Sequence, residues 1–254
     1  MGQLNTGLSN IEIIISRCRD KTSKRQYRCS KCNDIGYIII PQVNAQPIIK
    51  ECSCKKVERL EQQWKQNGFN GFSNELTFAT FESGRNVVSK RIKEMAQKYI
   101  DDFREIRFQY NNSIAFLGEP GSGKTHICIA ICLELLKQDI NPVYFPYRDC
   151  IDELIDLRII NKEKYEIKLL KYKKCDLLLV DDVFKGGESD AEIRILFKII
   201  NYRYINNLPI IISSEMLSEE LLKMDRAIGS RIIEMSKDRI LDIVGEEYNQ
   251  RLLD

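Results

Sequence analysis

The stretch "GEPGSGKT" at residues 118–125 constrains the fold more than any other feature of the sequence. It has the pattern Gly-x4-Gly-Lys-Thr, follows the apolar run "SIAFL" at 113–117 and precedes "THICIAICLELLKQ", whose composition is that of a helix. A strand, a glycine-rich loop and a helix in this order form a P-loop, in which backbone N–H groups approach phosphate oxygens at a helix N-terminus. The sequence therefore predicts an α/β fold built around a nucleoside triphosphate.

The P-loop supplies a first set of site residues. Lys124 is placed for the β- and γ-phosphates, and Thr125 offers its hydroxyl to Mg²⁺. His126 is interpreted as packing or phosphate-adjacent scaffold and not as a catalyst. The predicted nucleotide contacts are Gly118, Glu119, Pro120, Gly121, Ser122, Gly123, Lys124, Thr125 and His126.

Polar residues follow two later apolar runs. "CDLLLVDD" at 175–182 has the Walker B form, in which Asp181 would hold magnesium directly or through water and Asp182 would act as general base toward the attacking water. "LPIIISSE" at 208–215 also ends in polar residues, and Ser214 or Glu215 is predicted to sense the γ-phosphate, because strand C-termini in a parallel sheet face the ligand. An ATPase with Lys124 and these residues as its catalytic set is the expectation.

Two further runs, "PVYFP" at 142–146 and "RILDIV" at 239–244, complete five strands that alternate with helical segments. This order predicts a doubly wound parallel five-stranded sheet. The guanine-reading pattern Asn-Lys-x-Asp does not occur, which favours ATP over GTP. Ten residues follow the fifth run, so a C-terminal helical lid is not expected.

Four cysteines form a second pattern, Cys29-x2-Cys32 followed by Cys52-x-Cys54. The β-prone runs "GYIII" and "QPIIKE" lie between the pairs, and a hairpin built from them would bring the four thiols together. Four converging thiolates are the ligands of a structural zinc site, and chance clustering is the alternative. The other cysteines are predicted to be small buried hydrophobes: Cys18, Cys128, Cys132, Cys150 and Cys175.

The chain is predicted to comprise a zinc-binding domain at 1–66, a linker at 67–85 and an ATPase domain at 86–254, with a long amphipathic helix over 86–106. Residues 1–65 hold twelve Lys or Arg and six Asp or Glu, which makes the front basic. No stretch approaches the roughly 18 apolar residues of a membrane span, and no secretory signal is apparent, so a cytoplasmic protein is expected.

The chain resembles the helicase-loader branch of the AAA+ ATPases, the DnaC/DnaI type of bacteria and phages. The resemblance is carried by "GEPGSGKTH", "LLLVDDVF", "FKIINYRYINNLPIIISSE" and "GSRI", together with the cysteine module. It implies an ATP-dependent loader that binds a hexameric DnaB-type replicative helicase through the zinc domain and delivers it onto single-stranded DNA. It also implies that Arg231 in "GSRI" is an arginine finger for a neighbour's ATP, hence self-association. Arg226 is a weaker substitute, and a solvated helix arginine is the alternative.

Several features leave the interpretation open. The Asp-Asp and Ser-Ser-Glu sequences depart from the Asp-Glu and Asn common in AAA+ proteins, so hydrolysis is expected to be slow and ATP to act chiefly as an assembly switch. The Lys-rich stretch 158–174, with its two tyrosines, is either a surface for DNA backbone and stacking contacts or a solvated helix face. An IstB-like transposition helper or an initiator ATPase acting on duplex DNA is the alternative function.

Overall fold

The computed structural model describes residues 27–42, 45–65, 75–186 and 189–249. The chain divides into two compact units, Met1–Leu60 and Glu61–Asp254. Cys18, predicted to be buried, lies outside the described residues. The exact domain limits given above stay a prediction.

The front unit contains a β-hairpin. Strand β1 (Tyr37–Gln42) pairs antiparallel with β2 (Ala45–Glu51), so that Tyr37 lies opposite Glu51 and Ile40 opposite Ile48. The register shifts between Ile40 and Gln42, where the pairing is irregular. Helix α1 (Ser53–Lys65) follows directly. The hairpin predicted between the two cysteine pairs is therefore confirmed.

The second unit alternates strands and helices. Its elements, in chain order, are α2 (Val87–Ile106), β3 (Ile114–Gly118), α3 (Lys124–Lys137), β4 (Pro142–Pro146), α4 (Tyr147–Ile160), α5 (Lys162–Lys174), β5 (Leu177–Asp181), α6 (Asp190–Ile205), β6 (Ile210–Ser214), α7 (Ser218–Met224), α8 (Arg226–Met235) and β7 (Ile240–Ile243). A short 3-10 turn, Glu246–Tyr248, follows β7.

The five strands form one sheet in the order β4-β5-β6-β3-β7, and every neighbouring pair is parallel. Strands β3, β5 and β6 are buried along their whole length, as expected for a sheet covered by helices on both faces. Because these three strands are adjacent, the loops after their carboxyl ends meet at one edge. The predicted five-stranded doubly wound fold is confirmed.

Helix α2 begins at Asn86, whose side-chain oxygen accepts a hydrogen bond from the Ser89 N–H and so caps the first turn. Its apolar stripe is buried and includes Tyr99, which donates to the Asn112 carbonyl at 2.9 Å. The amphipathic helix predicted over 86–106 is thus confirmed. Of the cysteines outside the front unit, Cys128, Cys132 and Cys150 are buried as predicted, whereas Cys175 is half-buried.

Helix α5 carries the Lys-rich stretch, and its two tyrosines face inward. Tyr165 and Tyr172 are buried in the core, where the Tyr172 hydroxyl lies 3.3 Å from the Cys150 sulfur and its ring packs edge-on against Phe145. Their burial rules out base stacking on these rings and leaves the exposed lysines and Arg158 as the basic groups of the stretch 158–174. None of the helices in the described part of the chain is long and apolar enough to span a bilayer.

Candidate functional site

The P-loop borders a cavity of about 410 Å³ at the carboxyl edge of the sheet. Its lining residues are Leu76, Arg85, Pro120, Gly121, Gly123, Lys124, Thr125, His126, Asp182, Lys185 and Glu215. Gly118, Glu119 and Ser122 are not among them, and within the loop the Ser122 hydroxyl donates to the Glu119 carbonyl at 2.8 Å. Gly118 has a φ of +99°, and a Cβ there would collide with the Ile243 carbonyl of β7. Glycine at this position lets β3 and β7 approach closely.

Lys124 is the buried cation of the loop. Its ammonium group donates to the carbonyls of Gly118 at 2.8 Å and Glu119 at 2.7 Å. Burial lowers the pKa of Lys124, and the nearby carboxylates of Asp182 and Glu215 oppose that shift. The positive charge therefore sits at the cavity wall, on the same side as two acidic groups.

Asp181 and Thr125 form the site that could hold magnesium. The Thr125 hydroxyl donates to Asp181 Oδ1 at 3.0 Å, so a hydroxyl and a carboxylate from two different elements lie side by side. Tyr144 and Ser213 also donate to this carboxylate. Burial raises the pKa of Asp181, and the hydroxyl donors work against that rise. A hydroxyl and a hydrogen-bonded carboxylate are a donor set that suits Mg²⁺.

The two serines at the end of β6 have different roles from the predicted one. Ser214 is fully buried, and its hydroxyl donates to the Val183 carbonyl at 2.7 Å and accepts the Met216 N–H at 3.1 Å. It does not line the cavity, so the structure does not bring Ser214 to the phosphate position. Ser213 instead contacts both carboxylate residues: it donates to Asp181 and accepts the Asp182 N–H at 2.9 Å.

Asp182, the predicted general base, lies in a strained loop beside a second acid. Its φ is +56°, a region rare for residues other than glycine. Its carboxylate accepts from the Lys185 ammonium at 3.0 Å, and the same ammonium lies 2.9 Å from Glu215. The hydrogen bonds that Lys185 donates to Glu215 and to Asp182 raise the pKa of Lys185 against the effect of burial. Nothing in the sequence patterns singled out Lys185.

Residues 75–85, assigned above to the linker, also belong to the site. His126 donates from Nε2 to the Thr77 carbonyl at 2.9 Å, and its ring meets the buried Phe81 edge-on. Leu76 and Arg85 line the cavity. This part of the segment therefore contacts the helix after the P-loop through a hydrogen bond from its histidine, and the linker limits stay a prediction. His126 also lines the cavity, and its scaffold role stays a prediction.

The four cysteines of the front unit cluster. Their sulfur atoms all lie within 4.8 Å of one another, with Cys29 and Cys52 3.7 Å apart and Cys32 and Cys54 3.4 Å apart. A tetrahedral zinc with Zn–S bonds of about 2.3 Å places its ligands about 3.8 Å apart, so these thiols fit the ion. The cluster could hold zinc.

The turn after the first cysteine pair adds donors to this cluster. The Gly36 N–H, at a φ of +81°, donates to the Cys32 sulfur at 3.3 Å. The Asp34 carboxylate accepts the Cys29 N–H at 2.8 Å and so closes the loop that carries both thiols. Such outer contacts orient metal ligands before the metal binds.

The sequence matches the model of the family described as "IstB-like ATP binding protein" over residues 55–251. The chain belongs to this family. It is 35% identical over 245 residues to "Phage-like element PBSX protein XkdC" of Bacillus subtilis (strain 168), with 89% of this chain and 87% of the relative covered.

Two solved structures share the fold of this IstB-like chain. The DnaC helicase loader superimposes with a TM-score of 0.57 at 22% identity, over 67% of this chain and 98% of the DnaC chain. DnaI superimposes with a TM-score of 0.54 at 21% identity, over 70% of this chain and 94% of the DnaI chain. The P-loop AAA+ fold predicted from the sequence is thus the observed one.

Arg231, the arginine-finger candidate of this IstB-like chain, packs against its own α6. Its Nε donates to Asn201 at 3.0 Å, and its guanidinium lies over the rings of Phe197 and Tyr204. It does not line the cavity of its own chain. Arg226 is exposed at the start of α8. The arginine finger stays a prediction.

Proposed function

We propose that this chain is an ATP-dependent loader that binds a hexameric DnaB-type replicative helicase through its cysteine module and delivers it onto single-stranded DNA. The observation that carries the proposal is the four-thiol cluster attached to an IstB-like ATP-binding body. The family model begins at residue 55, immediately after Cys54, so the cluster is additional to the family's common core. The fold shared with the DnaC helicase loader and with DnaI supports the same reading.

The front unit is shared with at least one relative. The ATP-binding unit Glu61–Asp254 makes up 194 of the 254 residues, whereas the alignment with the Bacillus phage-element protein spans 89% of the chain. That alignment must therefore extend well into the front unit. A zinc held by the four thiols would give this small basic unit the folding energy that its few large apolar residues do not supply.

In the ATPase reaction we assign each residue a task from its position. Lys124 contacts the β- and γ-phosphates, and Thr125 with Asp181 would hold Mg²⁺, which neutralises phosphate charge when bound. Asp182 orients the attacking water and takes its proton. Because the Asp182 carboxylate is also engaged by Lys185, we expect slow hydrolysis that serves assembly. An arginine from a neighbouring copy, Arg231 or Arg226, would complete the site.

Lysines of α5 are the proposed contacts to single-stranded DNA. Lys162, Lys164, Lys171 and Lys174 are exposed, and both tyrosines of the helix are buried. Such a surface contacts phosphates without reading bases, so binding should weaken steeply with salt. Replacing all four lysines with glutamine should reduce both the affinity and the slope of its salt dependence, measured by fluorescence anisotropy.

The test of the loader proposal is ATP-dependent co-elution with the replicative helicase of the host. The wild type should co-elute with the hexamer, Cys52→Ser should lose both zinc and helicase, and Cys175→Ser, a cysteine outside the cluster, should keep both. Lys124→Ala should lose the dependence on ATP. Co-elution that survives Cys52→Ser would contradict the role of the cluster.

A transposition helper or initiator ATPase acting on duplex DNA is the second candidate, favoured by the family model itself, which carries the IstB description. In that case ATP should drive assembly of this chain on duplex DNA with no helicase present. Light scattering or electron microscopy of the purified chain with ATP and duplex DNA distinguishes the two functions.

A further inference from the structure

Lys185 lies beside the carboxylates of Asp182 and Glu215, in the lining of the cavity that the P-loop borders. Its ammonium group bridges Asp182 at 3.0 Å and Glu215 at 2.9 Å, and all three residues line the cavity with Lys124 and Thr125. We propose that Lys185 contacts the terminal phosphate of ATP and makes the site selective for ATP over ADP. The inference deepens the proposed ATPase function and rests on it only in requiring that the cavity bind nucleotide.

Two carboxylates lie close together in this part of the site, and a cation between them reduces their repulsion of a phosphate. Asp182 follows β5 and Glu215 follows β6, so both carboxylates stand at the edge of the sheet that the P-loop also borders. Two uncompensated carboxylates there would repel the most distal phosphate of a triphosphate. An ammonium group has three N–H donors, and the two carboxylates engage two of them. The third can reach a phosphate oxygen while both carboxylates keep their hydrogen bonds to the ammonium group.

The backbone around Lys185 is held from both sides. Val183 is fixed to β6, since its N–H donates to the Ser213 carbonyl at 3.0 Å and its carbonyl accepts from Ser214. Arg148 donates to the carbonyl of Lys185 itself at 3.0 Å and pairs with Glu192 at 2.6 Å. These hydrogen bonds hold the backbone at Val183 and Lys185, so the surrounding structure determines the position of the lysine.

A second anchor is the ring between Val183 and Lys185. Phe184 is buried with a φ of +61° and packs against the ring of Tyr147 at 5.9 Å between centroids. A buried aromatic residue in the left-handed region is an outlier, and such strain is typical of functional loops.

The test measures affinity for a non-hydrolysable ATP analogue, AMPPNP, and for ADP, each with Mg²⁺, by isothermal titration calorimetry. Lys185→Gln should weaken AMPPNP binding about tenfold, near the lower end of what loss of a charged hydrogen-bond partner costs, and change ADP binding less than about threefold. Lys185→Arg should retain most of the preference for AMPPNP. Adding Glu215→Gln to Lys185→Gln should recover part of the AMPPNP affinity, because it removes one uncompensated carboxylate.

Lys137→Gln is the matched control. Lys137 also pairs with an acid three residues away, Glu134, and its side chain is 50% exposed against 48% for Lys185, but it does not line the cavity. It should behave as wild type. If Lys185→Gln leaves the ratio of AMPPNP to ADP affinity unchanged, whether by no loss or by an equal loss for both nucleotides, the inference about Lys185 is wrong and the proposed function stands. Failure of the wild type to bind either nucleotide would overturn the proposed function with it.

Discussion

Replacing Arg203 with methionine should destabilise the ATP-binding unit strongly, although Arg203 is far from the P-loop. The residue lies on α6 and is fully buried. Its guanidinium donates to main-chain carbonyls: Tyr172, Lys173 and Cys175 at 3.0–3.2 Å and Pro209 at 2.7 Å. It therefore ties the C-terminus of α5 and the segment before β6 to α6.

The size of the effect follows from these acceptors. Methionine fills similar volume but removes this donor from all four carbonyls. The Pro209 and Tyr172 carbonyls keep a second donor, the Leu178 N–H and the Cys175 thiol, whereas loss at the Lys173 and Cys175 carbonyls costs roughly 1–3 kcal/mol each. Removing the charge offsets part of the loss, because burial lowers the pKa of Arg203 and so costs free energy in the charged form. A net loss of about 3–4 kcal/mol remains. For a unit of this size each kcal/mol lowers Tm by about 2–4 °C, so a fall of roughly 6–16 °C is expected.

Urea denaturation followed by circular dichroism, with differential scanning calorimetry, measures this loss. Arg194→Met is the control, because Arg194 lies on the same helix with its side chain 70% exposed and pairs with Asp190 at the surface. That change should cost well under 1 kcal/mol. If Arg203→Met costs no more than Arg194→Met, the carbonyls have other partners and the reasoning is wrong.

Three further outcomes are expected. Asp181→Asn should abolish binding of Mg²⁺-ATP yet raise the free energy of unfolding by about 0.5–2 kcal/mol at neutral pH. The gain is expected because burial raises the pKa of the Asp181 carboxyl, so the ionised form is unfavourable in the folded state. Calorimetry with and without nucleotide checks both outcomes. Wild-type protein should contain one zinc by mass spectrometry, and chelation should unfold the front unit but not the ATP-binding unit; retention of front-unit structure without metal would refute this. Burial lowers the pKa of His126 below its ordinary 6.5, so near that pH the folded state binds fewer protons than the unfolded state. Stability should therefore fall as pH drops below about 6.5. In melting curves measured over a pH series, His126→Gln should remove that pH dependence.

Much of the site was predictable because the motifs are local. The P-loop and Walker B residues each follow an apolar strand, and in a parallel sheet such ends meet at one edge whatever the strand order. The tetrathiol cluster was predictable for a similar reason: a hairpin brings its own ends together. In both cases short-range patterns determine which side chains converge.

Short-range patterns did not predict which of the two serines of β6 contacts Asp181. Successive strand residues face opposite sides of a sheet, so only one of two adjacent serines can reach Asp181. The register pairs Val180 with Ile212, which puts Asp181 beside Ser213 and turns Ser214 toward the loop after β5. The sequence contains both serines, but the choice depends on pairing between strands about thirty residues apart.

The loop after β5 contains Asp182, which the motif predicted, and Lys185, which no sequence pattern singled out. Asp182 is part of a motif, yet its surroundings come from elsewhere in the chain: Glu215 from the residue after β6 and Arg148 from α4. Because Ser214 and Arg148 hold the backbone on either side of Phe184, a shift of either β6 or α4 would move Lys185 relative to the phosphates. Asp182 and Lys185 therefore depend on two elements outside the motif, and a partner that docks on α4 would have a direct structural route to the proposed site of hydrolysis.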